Sequence, residues 1–428
     1  MRLPLPDPNK PPPGPFRPEF WRSPLRSSQL TAMLGLVLLV GLPVVAITGL
    51  LSNDAYQPGL GGNALGRQIN GPLDVYLFGW PSGPRWLYAL TQGAHVTLGL
   101  ALFPVVLAKL WSVIPRLFEW PPIRSPAHAL ERLSLALLVG STLFEFVTGI
   151  LNIQYWYAFK FDFPQAHYYG AWVFIGALAA HIPLKLPTLQ RSLRVRREVL
   201  EGAGPLASPT AQRADPHSLS SPRPAAVTLS RRGLLTAVAG ASGILLLQGV
   251  GQSAGGWARS LAFLLPRGRT RPGPLGFPVN KTWVSSGLRR VLVGDRWRLT
   301  VRGDRTLVLS RQQLLALPQH TYELPIACVE GWSTTQRWTG VRVSDLAALA
   351  GVAGPAILTS VSLETGTYGR ATLGHQQVAN PQTLLALEVN GHDLPLDHGY
   401  PARIISPAVP GVHCTKWVSE LRFEAVRT

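Results

Sequence analysis

Residues 30–52, LTAMLGLVLLVGLPVVAITGLLS, contain no charged residue over 23 positions. An α-helix rises about 1.5 Å per residue, so this stretch is long enough to cross a hydrocarbon layer about 30 Å thick. Four further stretches have few or no charges, namely residues 86–110, 133–153, 168–184 and 233–258. The last of them is rich in glycine and only weakly hydrophobic. The sequence therefore predicts four strong membrane spans and a weaker fifth.

The composition agrees with a membrane protein and argues against several other classes. The 428 residues include 40 Lys and Arg against 22 Asp and Glu, a net charge of +18, yet only 14% are charged and 46% are hydrophobic. A soluble nucleic-acid-binding protein with this net charge usually carries far more charge in total. Two cysteines are too few for a disulfide-based scaffold. We therefore expect membrane lipid, and no nucleic acid, among the partners.

The basic residues follow the positive-inside rule. Five Lys and Arg lie in residues 1–29, four in 109–132 and nine in 185–232, whereas 53–85 and 154–167 contain two and one. This alternation predicts a multi-pass protein with its N terminus in the cytoplasm and, after five spans, its C-terminal part outside. A further segment, 259–311, carries twelve basic and two acidic residues. It runs against the rule, although long folded domains are largely exempt.

We predict five segments from these patterns. They are a basic, proline-rich, unfolded cytoplasmic tail (1–29), a four-helix membrane domain (30–190), a flexible cytoplasmic linker (191–232), a fifth transmembrane segment (233–258) and an extracytoplasmic domain of mixed α and β structure (259–428). Within the last domain, residues 298–301 and 306–309 are predicted strands, and residues 343–351 a short helix closed by glycine. The overall fold class is thus a membrane four-helix bundle with a fifth transmembrane helix, followed by an α+β domain.

The fifth span begins with Arg231 and Arg232, which are followed by Gly233 and a Gly/Ala-rich apolar run. This arrangement resembles a twin-arginine export signal, here inside the chain and not at its start. Such a signal suits a domain that must cross the membrane already folded. The alternative is that the two arginines only flank an ordinary span on its cytoplasmic side.

Three histidines lie in the strong spans or at their edges: His95, His167 and His181. Fourteen residues separate the last two, which on a helix puts them on one face about 21 Å apart. His95 and His167 come to a similar depth, and two facing imidazoles at one level suit a six-coordinate haem b. His181, with His128 as a shallow partner, is the candidate for a second haem. The alternative is that these histidines are interfacial and ligate nothing.

The histidine spacing resembles that of the bis-histidine di-haem cytochrome b families, including the haem subunit that serves periplasmic methionine sulfoxide reductase. The resemblance implies electron exchange with membrane quinol or quinone. Glu145 lies within the third span, where a carboxylate is costly unless it is paired or protonated. It is either a proton acceptor at a quinol site or the partner of a polar group among the helices.

The most specific motifs lie in the last hundred residues. In order they are IACVEGWS (326–333), WTGV (338–341), LEVNG (387–391), DHGYPAR (397–403) and PGVHCTKWV (410–418). Together they resemble the sulfite-oxidase family of molybdenum-cofactor domains, from about Asn280 to the end of the chain. The resemblance implies a sulfite-oxidase fold and a molybdenum cofactor, in which a molybdopterin dithiolene holds the metal.

The resemblance also implies roles for particular residues. Cys328 is the single protein ligand to molybdenum, and a soft thiolate suits such a metal. Glu330 completes the Cys-x-Glu pattern of the methionine sulfoxide reductase branch and is the second candidate catalytic residue. The expected cofactor-binding residues are Asn280, Trp332, Ser333, His398, Arg403, Thr415 and Lys416. Among them, His398, Arg403 and Lys416 carry donors suited to the pterin phosphate.

One departure from the family narrows the substrate. Sulfite oxidases follow their cysteine with a Gly-Asn-Arg run whose arginine binds the anion, and residues 329–333 here read VEGWS. This argues against a classical sulfite oxidase, and we expect instead the reduction of an S-oxide or N-oxide by oxygen-atom transfer. Three other arginines remain candidates for binding an oxyanion, namely Arg337, Arg342 and Arg370.

Alternatives remain open at this point. One alternative is oxidation of a sulfite-like substrate with electrons delivered to quinone, and another is a non-catalytic membrane-anchored binding protein with a degenerate cofactor domain. Cys328 and Cys414 are the only cysteines; a disulfide between them is the lesser expectation, with Cys414 a buried thiol instead. His413 faces either the pocket or the core or surface.

Overall fold

The computed structural model describes residues 10–57, 59–61, 63, 78–201, 221, 223–269, 274–366 and 368–426. Five long helices come first along the chain. They are α1 (Ser28–Ala55), α2 (Leu87–Leu117), α3 (Pro126–Ile153), α4 (Phe163–Glu201) and α5 (Arg231–Ala254). Within the described ranges, these five are long and apolar enough to cross a membrane, α4 over Phe163–Pro187. The prediction of five long apolar helices is confirmed.

The ends of two helices differ from the prediction. Helix α4 continues to Glu201, through the first part of the segment predicted as a flexible linker; most of the rest of that linker, 202–220, lies outside the described residues. Helix α5 ends at Ala254 and not at 258. The next two residues, Gly255 and Gly256, have φ angles of 68° and 53°, which glycine adopts easily and an α-helix does not contain.

The prediction of an unfolded N-terminal tail is wrong for the part of it that the structure describes, from residue 10 onward. Trp21 Nε1 donates a hydrogen bond of 2.8 Å to the Pro15 carbonyl. The Arg26 guanidinium lies 5.2 Å from the ring centroid of Trp21 and 4.4 Å from that of Trp111. Only 6% of Arg26 is exposed. Cation–π and aromatic contacts therefore order a segment whose proline content favoured disorder. Residues 1–9 lie outside the described residues.

The chain divides into two compact units, and the first contains Met1–Ala46, Leu98–Ile150 and Ala166–Leu246. Its buried apolar cluster is formed by Leu30, Leu34, Leu38 and Leu42 of α1, Leu102, Val105, Val106 and Ala108 of α2, and Phe174 of α4. The α1 residues recur every four positions, which places them along one face of the helix. Partly buried residues of α3 and α5, among them Leu138 and Leu234, pack against this cluster. All five helices therefore share one core within this unit.

The second unit contains Ile47–Thr97, Leu151–Gln165 and Leu247–Thr428. It combines one end of α1, α2 and α5 and the loop between α3 and α4 with the whole C-terminal part. The division therefore runs through the helices and not at residue 259, the predicted start of the C-terminal domain. Side chains at these helix ends contact the C-terminal part, since Gln92 of α2 and Gln252 of α5 hydrogen-bond the carbonyls of Val329 and Glu330.

The elements after α5 are short. They are α6 (Pro266–Arg269), β1 (Arg298–Arg302), β2 (Thr306–Ser310), α7 (Arg311–Ala316), β3 (His320–Ala327), β4 (Ser333–Arg342), α8 (Val343–Leu349), β5 (Ala356–Ser362), β6 (Arg370–Leu373), α9 (His375–Ala379), β7 (Leu384–Val389), β8 (His392–Asp393), β9 (Arg403–Ile405) and β10 (Val418–Ala425). Strands β1 and β2 and helix α8 confirm the three predicted elements. Gly351, with φ of 86°, follows α8 where a closing glycine was predicted.

These strands form two sheets. One has the order β2-β1-β10-β5-β6, with β1 and β10 parallel. The other has the order β3-β4-β7-β8, with β9 on β7, and its pairs are antiparallel. On β7, Leu385 and Leu387 join the core shared with the first sheet, whereas Leu384 and Ala386 join a second cluster around Trp338. This period-two alternation buries both faces of the second sheet. The sheet thus provides a rigid base for the β3–β4 hairpin.

Candidate active site

Cys328 lies in the tight loop of the β3–β4 hairpin. Ala327 pairs with Ser333, so residues 328–332 form the connection. The Cys328 N–H donates to the Trp332 carbonyl at 3.0 Å, and the Gly331 N–H donates to the Cys328 carbonyl at 2.9 Å. Gly331 has a φ of 86°, a left-handed conformation that suits glycine. The turn therefore fixes the backbone that carries the Cys328 sulfur.

Asn280 and Glu330 surround this sulfur. Asn280 Nδ2 lies 2.6 Å from Cys328 Sγ and 3.3 and 3.2 Å from the two Glu330 carboxylate oxygens. Only 5% of Glu330 is exposed. Burial raises the pKa of the Cys328 thiol well above its usual value, and the nearby Glu330 carboxylate adds to the rise. The structure therefore brings together the predicted metal ligand, the predicted catalytic carboxylate and one predicted cofactor-binding residue.

Two further residues in contact with Asn280 were not among the predicted site residues. Arg267 Nη2 donates to Asn280 Oδ1 at 2.6 Å, and Arg267 Nε donates to the Tyr155 hydroxyl at 2.8 Å. The Tyr155 hydroxyl in turn lies 3.4 Å from Asn280 Oδ1. The Arg267 guanidinium also lies 4.7 Å from the centroid of the Tyr155 ring. Sequence patterns do not predict this group of three residues. Tyr155 lies in the loop after α3, Arg267 lies in α6, and Asn280 lies in the segment after α6, so the contacts join parts far apart in the chain.

The ends of α2 and α5 hold the same hairpin loop. Gln92 Nε2 of α2 donates to the Val329 carbonyl at 2.5 Å, and Gln252 Nε2 of α5 donates to the Glu330 carbonyl at 2.5 Å. Both glutamines are buried, at 4% and 1% exposure. The Ser333 hydroxyl, a predicted cofactor contact, donates to the Ser253 carbonyl of α5. Residues of two long helices therefore hydrogen-bond the backbone immediately next to Cys328.

The predicted phosphate-binding residues form a second cluster. Arg403 is 4% exposed and donates to the carbonyls of His398 at 2.9 Å and Cys414 at 3.2 Å. Lys416 Nζ donates to the carbonyls of Lys281 at 2.6 Å and Asp397 at 2.8 Å. His398 is buried and stacks on Phe277 with a centroid distance of 3.7 Å.

The electrostatics of this cluster fit an anion. Neither Arg403 nor Lys416 makes an ion pair with a carboxylate of the described chain, and Arg403 Nε has no hydrogen-bond partner there. Burial lowers the pKa of Arg403 to about 10. Burial, with repulsion from Arg403, lowers the pKa of Lys416 to about 7. A phosphate group would supply the missing negative charge and acceptors, so the residues present fit a phosphate-bearing pterin.

The two other predicted cofactor-binding residues, Thr415 and Trp332, have different surroundings. The Thr415 hydroxyl is buried and lies 2.7 Å from the Ser360 hydroxyl. Trp332 is also buried, and its Nε1 has no partner among the described residues.

Both cysteines are free and Cys414 is buried, which confirms the expectation of a buried thiol over a disulfide. His413 is buried with its ring against Tyr56 at 5.9 Å, so it faces the interior.

The three arginines considered for anion binding have other positions. Arg342 donates to the Tyr322 hydroxyl at 2.8 Å, and Arg337 and Arg370 are exposed on β4 and β6. The arginine whose charge lowers the pKa of Cys328, against the larger effect of burial, is Arg267. It belongs to the basic segment 259–311, whose excess charge had no assigned role.

The candidate haem ligands are distributed over both units. His95 lies in the second unit, and a Cβ placed on Gly49 of α1 would come within 2.8 Å of its ring. His167 lies in the first unit, with Nδ1 3.0 Å from a Glu145 carboxylate oxygen and 3.3 Å from the Thr148 hydroxyl. Glu145 is therefore paired with a polar group, as one of its two interpretations required. His181 is half-buried on α4.

Among the residues that the structure describes, no group of three or more His, Cys, Asp or Glu side chains is arranged to hold a metal ion. His128, the shallow alternative ligand, accepts a hydrogen bond of 3.2 Å from the Arg124 N–H through Nδ1.

Comparison with known proteins identifies the C-terminal part. Residues 288–427 match the family model of the oxidoreductase molybdopterin binding domain. Mitochondrial sulfite oxidase of Rattus norvegicus is 31% identical over 192 residues, covering 38% of this chain and 34% of the relative. The uncharacterized oxidoreductase YuiH of Bacillus subtilis is 32% identical over 131 residues, covering 30% of this chain and 65% of the relative.

A solved structure is also similar in part. The sulfane dehydrogenase SoxCD from Paracoccus pantotrophus is 25% identical, with a TM-score of 0.29 over 31% of this chain and 40% of that one. The matched region spans about a third of the length of the rat sulfite oxidase. The predicted resemblance to the sulfite-oxidase family is confirmed for the C-terminal domain. Residues 288–427 match a molybdopterin-binding oxidoreductase domain and are similar to part of sulfite oxidase, which is an enzyme.

Proposed function

We propose that the chain is a membrane-bound molybdenum oxidoreductase that uses electrons from quinol, passed through haem b, to reduce an S-oxide or N-oxide. The observation that carries this proposal is the pair of hydrogen bonds from Gln92 and Gln252 to the consecutive carbonyls of Val329 and Glu330. They connect two long apolar helices directly to the loop that holds Cys328.

The molybdenum cofactor, when bound, supplies oxygen-atom transfer, and the side chains around Cys328 support that chemistry. Cys328 would provide one soft thiolate ligand, while Arg403 and Lys416 would hold the pterin phosphate. Reduction of an oxide takes up two electrons and two protons and releases water. Glu330 is buried within the same network, so its carboxyl group is the candidate to hold and deliver a proton.

The electron path of this proposal begins at the histidines. His95, which would ligate the haem, follows Gln92 by three residues on α2, less than one helical turn from the side chain that donates to Val329. On His167, Glu145 and Thr148 both contact Nδ1. A partner at one ring nitrogen of a metal-binding histidine orients the ring for ligation through the other. His181 is the candidate for a second haem.

The location of the C-terminal domain outside the cytoplasm is part of the proposal. It is supported by the distribution of basic residues along the chain and by the Arg231-Arg232 pair, which stands at the start of α5. Export of a folded domain suits a cofactor that is inserted during cytoplasmic folding. Membrane lipid and quinol are accordingly the expected partners.

The surroundings of Arg267, the cation near Cys328, favour a neutral oxide over an anion as the substrate. Arg267 donates to Tyr155 and Asn280, and the buried carboxylate of Glu330 accepts from the same Asn280. A second candidate, oxidation of a sulfite-like substrate with electrons delivered to quinone, is favoured by the similarity to rat sulfite oxidase.

Anaerobic turnover distinguishes the two candidates. The purified chain is given reduced quinol and a panel of S-oxides and N-oxides, and separately sulfite with oxidised quinone. We expect oxide-dependent oxidation of quinol. Turnover of sulfite together with no turnover of any oxide would contradict the proposal and support the second candidate.

A further inference from the structure

The Asn280 side-chain amide lies between two sets of partners with opposite chemistry. On one side are Arg267 Nη2, which can only donate, and the Tyr155 hydroxyl, at 2.6 and 3.4 Å from Oδ1. On the other side are Cys328 Sγ and the Glu330 carboxylate, at 2.6 Å and 3.2 to 3.3 Å from Nδ2. A carboxylate only accepts, so the amide has one orientation that satisfies both sides.

Arg267 is itself held in place. Its Nε donates to the Tyr155 hydroxyl at 2.8 Å, and its guanidinium lies 4.7 Å from the Tyr155 ring centroid. Tyr155 has a φ of 57°, an unusual value for a tyrosine, and its amide N–H donates to the Asn152 carbonyl at 3.1 Å. The loop that follows α3 thus presents this side chain in a defined conformation, about 170 residues before Cys328 in the sequence.

A hydrogen bond to a sulfur ligand withdraws electron density from the sulfur and favours the reduced state of the metal it binds. We propose that Arg267 and Tyr155 are positioning residues that hold the Asn280 N–H against the Cys328 sulfur and thereby set the reduction potential of the metal bound there. This rests on the proposed function, because it requires molybdenum at Cys328. The loop between α3 and α4 is then part of the redox site and not only a connection.

The test uses the full-length holoprotein and conservative variants. Tyr155→Phe keeps the aromatic ring and removes the hydroxyl, and Arg267→Gln removes the guanidinium. Asn280→Asp removes the N–H donor to the Cys328 sulfur itself, so this variant should show the largest change in potential. The matched control is Tyr157→Phe, in the same loop, since the Tyr157 hydroxyl donates to Asn152 Oδ1 at 2.9 Å and, among the described residues, does not hydrogen-bond Asn280.

The readouts are the midpoint potential of the molybdenum centre and its EPR spectrum, with molybdenum quantified per chain. We expect lower potentials and altered spectra in the order Asn280→Asp, Arg267→Gln, Tyr155→Phe, from largest to smallest change. Tyr157→Phe should match the wild type. Wild-type potentials and spectra in both Arg267→Gln and Tyr155→Phe, at normal molybdenum content, would overturn this proposal alone. A wild-type chain that contains no molybdenum would overturn the proposed function and this proposal with it.

Discussion

The side-chain amide of Gln92, on the second long helix, donates a hydrogen bond of 2.5 Å to the backbone carbonyl of Val329, the residue after Cys328. A second buried glutamine, Gln252, makes the equivalent bond to Glu330. The conformation of the Cys328 loop therefore depends on residues of the helical region. This dependence links the cofactor domain to the helices more directly than a flexible tether would.

Loss of one of these bonds is expected to loosen the loop. Gln252→Leu leaves the buried Glu330 carbonyl without this donor, at a cost of about 1–3 kcal/mol. Hydrogen exchange at the Cys328 and Gly331 amides should accelerate in this variant and in Gln92→Leu. Gln319→Leu is the control, because its amide donates to the carbonyls of Leu314 and Leu317 elsewhere. Unchanged exchange in both variants would show that the helices do not hold the loop.

Replacement of the assigned metal ligand should abolish turnover. In Cys328→Ser the soft thiolate is lost, so we expect no oxide reduction while the haem spectrum stays intact. Cys414→Ser provides the matched control, since this thiol is buried and free and is not assigned to the metal. Activity retained in Cys328→Ser would refute the ligand assignment.

Glu330→Gln separates proton delivery from structure. A glutamine keeps an oxygen that accepts from Asn280 Nδ2, so the network of 3.2 to 3.3 Å contacts has an isosteric replacement. Loss of a general acid typically reduces the rate about 10²–10⁴-fold. We expect a decrease of this size in kcat with molybdenum content unchanged. Glu323→Gln, exposed on the same hairpin, is the control; equal activities of the two variants would argue against a proton-transfer role.

Stability of the cofactor-free chain should depend on pH through Lys416. Burial lowers the pKa of Lys416 from 10.5 to about 7 in the folded protein. Between these values the unfolded chain binds a proton that the folded chain lacks, so stability increases as the pH rises through this window. Lys416→Met should remove this increase in thermal unfolding measured in detergent. The same pH dependence in the variant would contradict the explanation.

The haem assignment predicts a selective loss. His95→Ala should lose b-type absorption bands and keep its molybdenum, because the two cofactors have separate ligands. His320→Ala is a suitable control, since His320 lies on β3 with Nε2 3.7 Å from an Asp345 carboxylate oxygen. An intact haem spectrum in His95→Ala would exclude His95 as a ligand.

The parts of this structure that were predictable from sequence depend on local patterns. Long uncharged stretches predict the helices, the segments 298–301 and 306–309 predict β1 and β2, and the motif around Cys328 predicts the cofactor domain. The contacts of Gln92, Gln252, Tyr155 and Arg267 were not predictable, because each joins segments far apart in the chain. Their side chains belong to no motif, and only the tertiary fold shows that they share a site.

The folded N-terminal segment illustrates the same limit. Its proline content favours an unfolded chain, yet Trp21 and Trp111 enclose the Arg26 guanidinium. One of these rings lies in α2, about 85 residues away. A contact of that kind has no local signature, so composition alone predicted disorder.

The central claim is that one chain joins a molybdenum centre at Cys328 to haem in its helices. The most direct test quantifies molybdenum and iron per chain in the purified protein and records the reduced-minus-oxidised spectrum. The proposal predicts one molybdenum per chain together with the spectrum of a b-type haem. A protein with neither molybdenum nor iron would contradict it and would support a non-catalytic, membrane-anchored binding protein instead.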